Sequence, residues 1–445
     1  MSMSNFGLIK GDWITKLSYL IMGFGCIVRG QILKGLAFLV AEIAFIAYMV
    51  GFGWNYVKDI GTLGTVTESS YVDEATGIIM YNTADNSMLI LLYSVMSLIL
   101  LFVFVLIYIQ STKECYNVEV LKKTGKPIPA VKDSVRSLLN EKYHITLLSL
   151  PVTLITVFII TPLIFMILIA FTNYDANHQP PGNLFTWVGL QNFKDVFGDS
   201  AIKTKTFFSI FGWNIVWAFF ATFTNYFLGM ILALIINIKG VRFKKLWRTI
   251  FVITIAVPQF VSLLLMSKIF ADQGTVNIIL QQLGFDPIHF LTDGKIARVM
   301  VILINIWVGV PYSMLATTGI LMNIPSELYE SARIDGAGPV LTFRKITLPY
   351  ILFVTTPYLI TQFVGNFNNF NVIYLLTQGD PKSVWLYQAG ETDLLVTWLY
   401  KLTVNFSDYN LASVIGIMCF IVSAGLSLIV YNMSGSAKKE EEFQW

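Results

Sequence analysis

Charge is what this sequence has least of. Lysine, arginine, aspartate and glutamate make up 13% of the 445 residues, where a soluble domain carries about 25%. That scarcity excludes an ordinary water-soluble globule. Histidine is scarcer still: only His144, His178 and His289 occur, each isolated. No histidine cluster exists for a metal site or a proton relay. The three cysteines, Cys26, Cys115 and Cys419, are far apart in sequence with no CxxC, so neither a zinc site nor a disulfide framework is expected. The nucleotide-binding pattern GxxxxGK[ST] is missing; "TGKPIP" at 124–129 lacks both the spacing and the hydroxyl. HExxH and GxSxG are missing too. The chain therefore has no visible means of hydrolysing a nucleotide or a peptide, and no catalytic residue or metal ligand is assigned. A net charge of only +3, dispersed over several loops, argues against a nucleic-acid partner. The first ten residues lack an apolar core, and the run 17–28 ends at Arg29 without a small-x-small site, so no cleavable signal peptide is expected.

What the chain has instead is apolar length. Hydrophobic residues reach 55% and the mean hydropathy is +0.67. A bilayer core about 30 Å thick takes roughly 20 apolar residues per helix. Eight such segments are present, at about 33–53, 87–109, 146–171, 209–237, 247–271, 297–321, 349–376 and 411–431. The predicted fold class is all-α, a polytopic membrane protein. The run 17–28 is too short to cross and is expected in the interface. Alternate loops carry most of the lysines and arginines, which puts both termini in the cytoplasm. The segments 54–86, 172–208, 272–296 and 377–410 are then outside. Pro162, Pro258, Pro311 and Pro357 fall inside spans and are expected to kink them. Glu42 is the main ionisable residue deep in a span. Such a residue is either a functional group or is paired with another helix or a snorkelling base.

One polar stretch interrupts the apolar chain, "NIPSELYESARIDGAGPVLTFRKITLP" from Asn323 to Pro349. Pro325 suits a first helical turn, and Glu327 and Glu330 sit near that helix's positive end. Gly336 can take the left-handed conformation that ends a helix. Pro339 can start a second short helix running to about Ile346, and Pro349 opens the seventh span. Two short helices joined by a glycine turn form a knob suited to docking on another protein.

The spacing in this stretch resembles a known family. Glu330-Ser331-Ala332, three residues, Gly336, nine residues, Ile346, one residue and Leu348-Pro349 are similar to the EAA motif of ABC importer permeases, with Ser331 where the pattern has Ala. The resemblance implies the ABC type I importer permease fold. It also implies a coupling role for Glu330, Ser331, Ala332, Asp335, Gly336, Ile346, Leu348 and Pro349. By it, Glu330 would pair with a basic residue of a cytoplasmic ATPase subunit and Gly336 would permit the turn. Together with "NIWVGVPY" (305–312), "NFNNF" (366–370) and "TDLLVTWLY" (392–400), the loop looks like the maltose-type permeases of carbohydrate importers, over roughly residues 145–431. This divides the chain into 1–144 (an interfacial segment, two spans and a cytoplasmic linker), the core 145–431 with its coupling loop at 323–349, and a tail 432–445. It implies a second homologous permease, two ATPase subunits that use ATP and Mg²⁺, an extracellular solute-binding protein and a carbohydrate cargo. The setting is the bacterial cell membrane and its lipid. No cofactor is expected on this chain.

The residues agree with a sugar. Asn305, Gly309 and Tyr312 share one helical face, as do Asn366 and Asn369. Amides and aromatic faces suit a neutral sugar, which asks for hydrogen bonds and not for charge. The other use of such asparagines is to join helices, and with four at 366, 368, 369 and 371 some must do so. The resemblance assigns cargo contact to Asn305, Val308, Gly309 and Tyr312 of the sixth span and to Asn366 and Asn369 of the seventh. In the fifth span, Ile255 and Gln259 stand around the "AVP" turn where maltose-type permeases tend to have Tyr and Ser. This points to a maltodextrin or another oligosaccharide more than to maltose. Three rivals are weighed. A membrane-embedded enzyme is disfavoured by the missing motifs. An ion-coupled secondary transporter would want intramembrane charge and internal repeats, and neither is seen. An importer of an anion such as glycerol phosphate would want a base in the sixth or seventh span, and the relevant stretches have none.

Overall fold

The computed structural model describes residues 11–72, 77–129, 136–238 and 240–433. The expected tail at 432–445 lies outside these from residue 434. Among the described residues, seven helices are long and apolar enough to cross a membrane, and a bent pair makes up to eight. That matches the eight predicted segments. The chain forms two compact units, Met1–Gly189 and Leu190–Trp445.

The first unit opens on two short helices, α1 (Trp13–Leu17) and α2 (Phe24–Val28). The long helices α3 (Ile32–Val57), α4 (Ser87–Lys123) and α5 (Tyr143–Ile169) follow. A short antiparallel hairpin, β1 (Ser70–Val72) and β2 (Ile79–Tyr81), sits between α3 and α4 with Ser70 opposite Tyr81. The segment 17–28 is tied down by polar contacts. Arg29 is 6% exposed; its guanidinium pairs with Asp12 at 2.6 Å and donates to the Cys115 carbonyl at 3.1 Å. A buried cation is tolerable only when so paired. Glu42 has an equally local partner: it accepts the Met22 backbone N–H at 2.8 Å. The intramembrane carboxylate thus holds the α1–α2 loop. Cys26 and Cys115, distant in sequence, approach to 3.3 Å between sulfurs, both as free thiols.

The second unit is built on α6 (Ala201–Asn237), the bent pair α7 (Lys244–Ala256) and α8 (Gln259–Ile269), and α9 (Gly294–Met322). The short α10 (Ser326–Ile334) leads into α11 (Pro339–Phe367). α12 (Phe370–Leu376), α13 (Leu395–Val404) and α14 (Tyr409–Met433) complete it. Its core gathers Trp213, Trp217 and Ala221 of α6 with Leu263, Met300, Val301, Ile304, Val372 and Ile373. α6 and α9 pack closely. A side chain at Gly229 would bring its Cβ to 2.5 Å from the Ser313 Cβ and 2.8 Å from the Met314 nitrogen, so only glycine fits there.

Two spans are broken. Pro258 was expected to kink the fifth, and α7 and α8 meet at 86° across Val257–Pro258. The seventh, read as one helix over 349–376, stops at Phe367 and restarts at Phe370. No proline marks this break; amides sustain it. A helix end leaves carbonyls unbonded. Here the Asn214 amide donates to the Phe367 carbonyl at 2.8 Å, and the Trp217 indole donates to that of Asn366 at 3.0 Å. Asn369 caps the restarted helix, its side chain accepting the Val372 N–H at 3.1 Å.

Candidate functional site

The polar stretch forms a capped helix, as its residues require. α10 ends in a left-handed glycine, Gly336 at φ 75°. The Gly336 N–H donates to the Arg333 carbonyl at 3.0 Å and the Ala337 N–H to that of Ala332 at 2.8 Å. This is the paired hydrogen-bond closure that a C-terminal glycine allows. Ala332 is buried, while Glu330, Ser331 and Asp335 are exposed. Ile334 and Val340 are 86% and 80% exposed, an apolar edge flanking the glycine turn. The Tyr329 hydroxyl meets that of Thr347 at 3.1 Å and ties α10 to the start of α11. The second short helix, expected to end near Ile346, does not end: it runs through a wide turn at Phe343–Thr347 straight into the seventh span. Pro349 cannot donate to a carbonyl one turn back, and a widened turn accommodates that loss. Ile346 and Leu348 are half-buried and Pro349 is exposed. α10 is therefore joined to the membrane by a continuous helix.

Within the same unit, a cavity of about 490 Å³ lies between α6, α9 and α11, within the range of small-ligand sites. It brings together Asn305, Val308, Gly309, Tyr312, Asn366, Asn369 and Gln259, seven of the eight residues expected to contact cargo. Ile255 is not in its lining. The chain turns 86° at Val257–Pro258, between Ile255 and Gln259, and only the far side of that turn reaches the cavity. The asparagines divide their work. Asn366 donates to the Thr222 hydroxyl at 3.0 Å and accepts from Asn369 at 3.4 Å, while Asn368 donates to Ser423 at 2.9 Å and joins α11 to α14. Tyr312 is 47% exposed, so its ring is free to meet a ligand.

Sequence reasoning missed a whole wall. Thr222, Asn225 and Tyr226 of α6 line the cavity, as do Tyr358, Gln362 and Gly365 of α11. Two signals were available. Tyr358, Gln362 and Asn366 are spaced i, i+4, i+8 on one face. Asn214, Ala218, Ala221, Asn225 and Gly229 form a small and polar stripe at helical spacing along an otherwise apolar helix. No charged side chain is among the residues that line the cavity. The site can exchange hydrogen bonds and offer ring faces, but it offers no ion pair.

Comparison with known proteins accords with this geometry. The profile of the family described as "binding-protein-dependent transport system inner membrane component" matches residues 225–436. The galactooligosaccharides transport system permease protein GanP of Bacillus subtilis is 35% identical over 430 residues, covering 96% of this chain and 99% of that one. The maltodextrin transport system permease protein MdxF of the same organism is 34% identical over 432 residues, covering 95% of each chain. A crystal structure of a bacterial ABC transporter involved in alginate import shares the fold, with a TM-score of 0.56 at 23% identity over 67% of this chain and 97% of that one. A membrane chain of broken and capped helices, similar over nearly its whole length to sugar permeases, belongs to the family of binding-protein-dependent transport system inner membrane components.

Proposed function

We propose that this chain is the permease subunit of an ATP-driven importer of neutral oligosaccharides, of the maltodextrin or galacto-oligosaccharide kind. The cavity's chemistry carries the reading. Six amide side chains and three tyrosines line it without one charge. A neutral sugar exchanges its water for just such groups, whereas an acidic cargo would call for a base. The long relatives carry the names of permeases for those two sugars, which narrows the class to neutral glycans of more than one residue.

By the same reading, the cavity faces a second, homologous permease subunit, and an extracellular solute-binding protein delivers the sugar on the outer loops. Two cytoplasmic ATPase subunits bind ATP and Mg²⁺ and receive α10. Their closure would move α10, and the unbroken path from Pro339 to Phe367 would pass that motion to Asn366 at the cavity. The concentration of lysine and arginine in alternate loops puts both termini in the cytoplasm of the cell.

Asn366→Leu tests the cargo assignment. Loss of one hydrogen bond of about 1.4 kcal/mol predicts roughly a tenfold fall in sugar uptake, with the ATPase subunits still co-purifying. Unchanged uptake in proteoliposomes would return Asn366 to a purely helix-joining role.

A further inference from the structure

We propose that Cys26 of α2 and Cys115 of α4 are a reversible redox pair, a modification site at which hydrogen peroxide closes a covalent bond between the N-terminal segment and α4. The proposal is independent of the cargo reading. The two sulfurs lie 3.3 Å apart, and both residues are free cysteines with no exposed surface. Packed carbon atoms rest at about 3.5–4.0 Å, and sulfur is the larger atom. Apolar packing, the ordinary role of a buried cysteine, does not by itself bring two sulfurs so close. A thiol is only a weak donor and a weak acceptor. An S–H···S contact therefore gives little reason for two cysteines 89 positions apart to meet.

The surroundings hold the contact in place. A Cβ at Gly25 would stand 2.6 Å from the Ser18 Oγ and 3.4 Å from the Cys115 Cβ, so glycine lets α2 settle on α4 beside the pair. The Arg29 Nη1 donates to the Cys115 carbonyl at 3.1 Å and its Nη2 to the Thr15 hydroxyl at 2.8 Å. The Tyr108 hydroxyl of α4 donates to the Tyr19 carbonyl at 2.8 Å, and Val118 joins both cysteines in one buried cluster. Cys115 lies among Lys113, Lys122 and Lys123, which puts this end of α4 on the cytoplasmic side. There thiols are kept reduced, and the disulfides that form are mostly transient and redox-sensing. The resting state is thus the dithiol. With peroxide, one thiolate attacks an oxygen, the O–O bond breaks and hydroxide leaves. The other sulfur then attacks the sulfenic sulfur, and the S–S bond forms as the S–O bond breaks. Two thiols and one peroxide give one disulfide and two waters, with sulfur oxidised and oxygen reduced. α1 and α2 have five residues each. Helices so short have little stability of their own, and their local opening admits the oxidant.

The test counts thiols on the full chain in lipid nanodiscs, treated with hydrogen peroxide, then denatured and labelled with maleimide-polyethylene glycol. The chain has three cysteines, so labels should fall from three to one, and dithiothreitol should restore all three. The thiol that survives should be Cys419 of α14. A tryptic digest should hold a linked peptide joining Cys26 to Cys115, two hydrogens lighter than its parts. The selection should need the fold: a chain unfolded before the same oxidation should give a mixture in which Cys419 is linked too. Cys115→Ser should yield no linked peptide from the folded chain. If that variant fails to fold, the parental count decides, since it changes no residue. Three labels persisting after peroxide, or cysteine sulfinic acid in place of the linked peptide, would overturn the pair. So would links to Cys419 in the folded chain, or equally selective pairing in the unfolded one. Each of these results would leave Cys26 and Cys115 as packed thiols.

Discussion

Glu330→Lys should abolish ATP-coupled transport while the binding protein keeps its parental sugar affinity. Glu330 is exposed on α10, a helix whose fold is secured from its inner side by Ala332 and by the Tyr329–Thr347 hydroxyl contact. Reversing its charge therefore leaves α10 formed and alters only what a partner meets. If Glu330 pairs with a base on the ATPase subunit, the substitution sets two cations face to face. Disrupting a buried interfacial charge pair costs about 2–5 kcal/mol, roughly a 30- to 5,000-fold loss of association. Co-purification of the ATPase subunits and sugar-stimulated ATP hydrolysis would read that loss. Gly336→Val should produce a smaller version of it. Nothing lies within 4 Å of an added Cβ there, but the backbone sits at φ 75°. The cost is then conformational alone, about 1–2 kcal/mol for a side chain in the left-handed region. Full assembly and full transport with Glu330→Lys would remove the docking role from α10.

The two candidate sites were legible to different degrees, for physical reasons. α10 could be read because its constraints are local. A proline start, a glycine end and a small buried Ala332 act over a dozen residues of chain. The cavity is non-local. Asn305 and Asn366 stood out because an amide in an apolar span is conspicuous whatever faces it. Asn225 was equally conspicuous in principle, but α6 runs for 37 residues and buries Asn214, Thr222 and Asn225 for different ends. Asn214 closes the broken end of α11 and also accepts the Leu395 N–H at 2.9 Å. Only the crossing partner tells these roles apart. The helix breaks show the same contrast. Pro258 announces one, since a missing N–H is a property of the residue. The break at Asn368–Asn369 depends on donors that arrive from α6, so nothing nearby in sequence requires it. Ile255 belongs to the same level. The resemblance placed it beside the "AVP" turn, and the angle of that turn leaves it outside the cavity lining.

Lys401→Met should be strongly destabilising to the second unit. Asp393 is fully buried and Lys401 is 8% exposed. The lysine Nζ lies 2.7 Å from the Asp393 carboxylate and 3.7 Å from that of Asp380. Asp393 also accepts the Gly390 N–H at 2.7 Å and the Thr397 hydroxyl at 2.9 Å. A Cβ on Gly379 would overlap this carboxylate and stand 2.6 Å from the lysine Nζ, so the loop is wrapped tightly around the pair. Removing one partner of a buried pair costs about 3–5 kcal/mol, because the other is left charged and unmatched. The pH dependence follows from the same burial. Burial pushes the Asp393 carboxyl above its ordinary value, against the pull of Lys401 and of the hydrogen bonds from Gly390 and Thr397. A group bound to its proton more tightly in the folded state than in the unfolded one favours folding at low pH and loses that contribution as pH rises through its folded value. Without Lys401 the folded value climbs further. The deficit of Lys401→Met should therefore be largest near neutrality and shrink on acidification, as a neutral carboxyl needs no counter-charge. Adding Asp393→Asn should recover most of the loss at neutral pH. Thermal unfolding of the purified protein at two pH values measures all three effects, and a Lys401→Met deficit that ignores both pH and Asp393→Asn would place the damage in lost side-chain packing, not in the uncompensated charge.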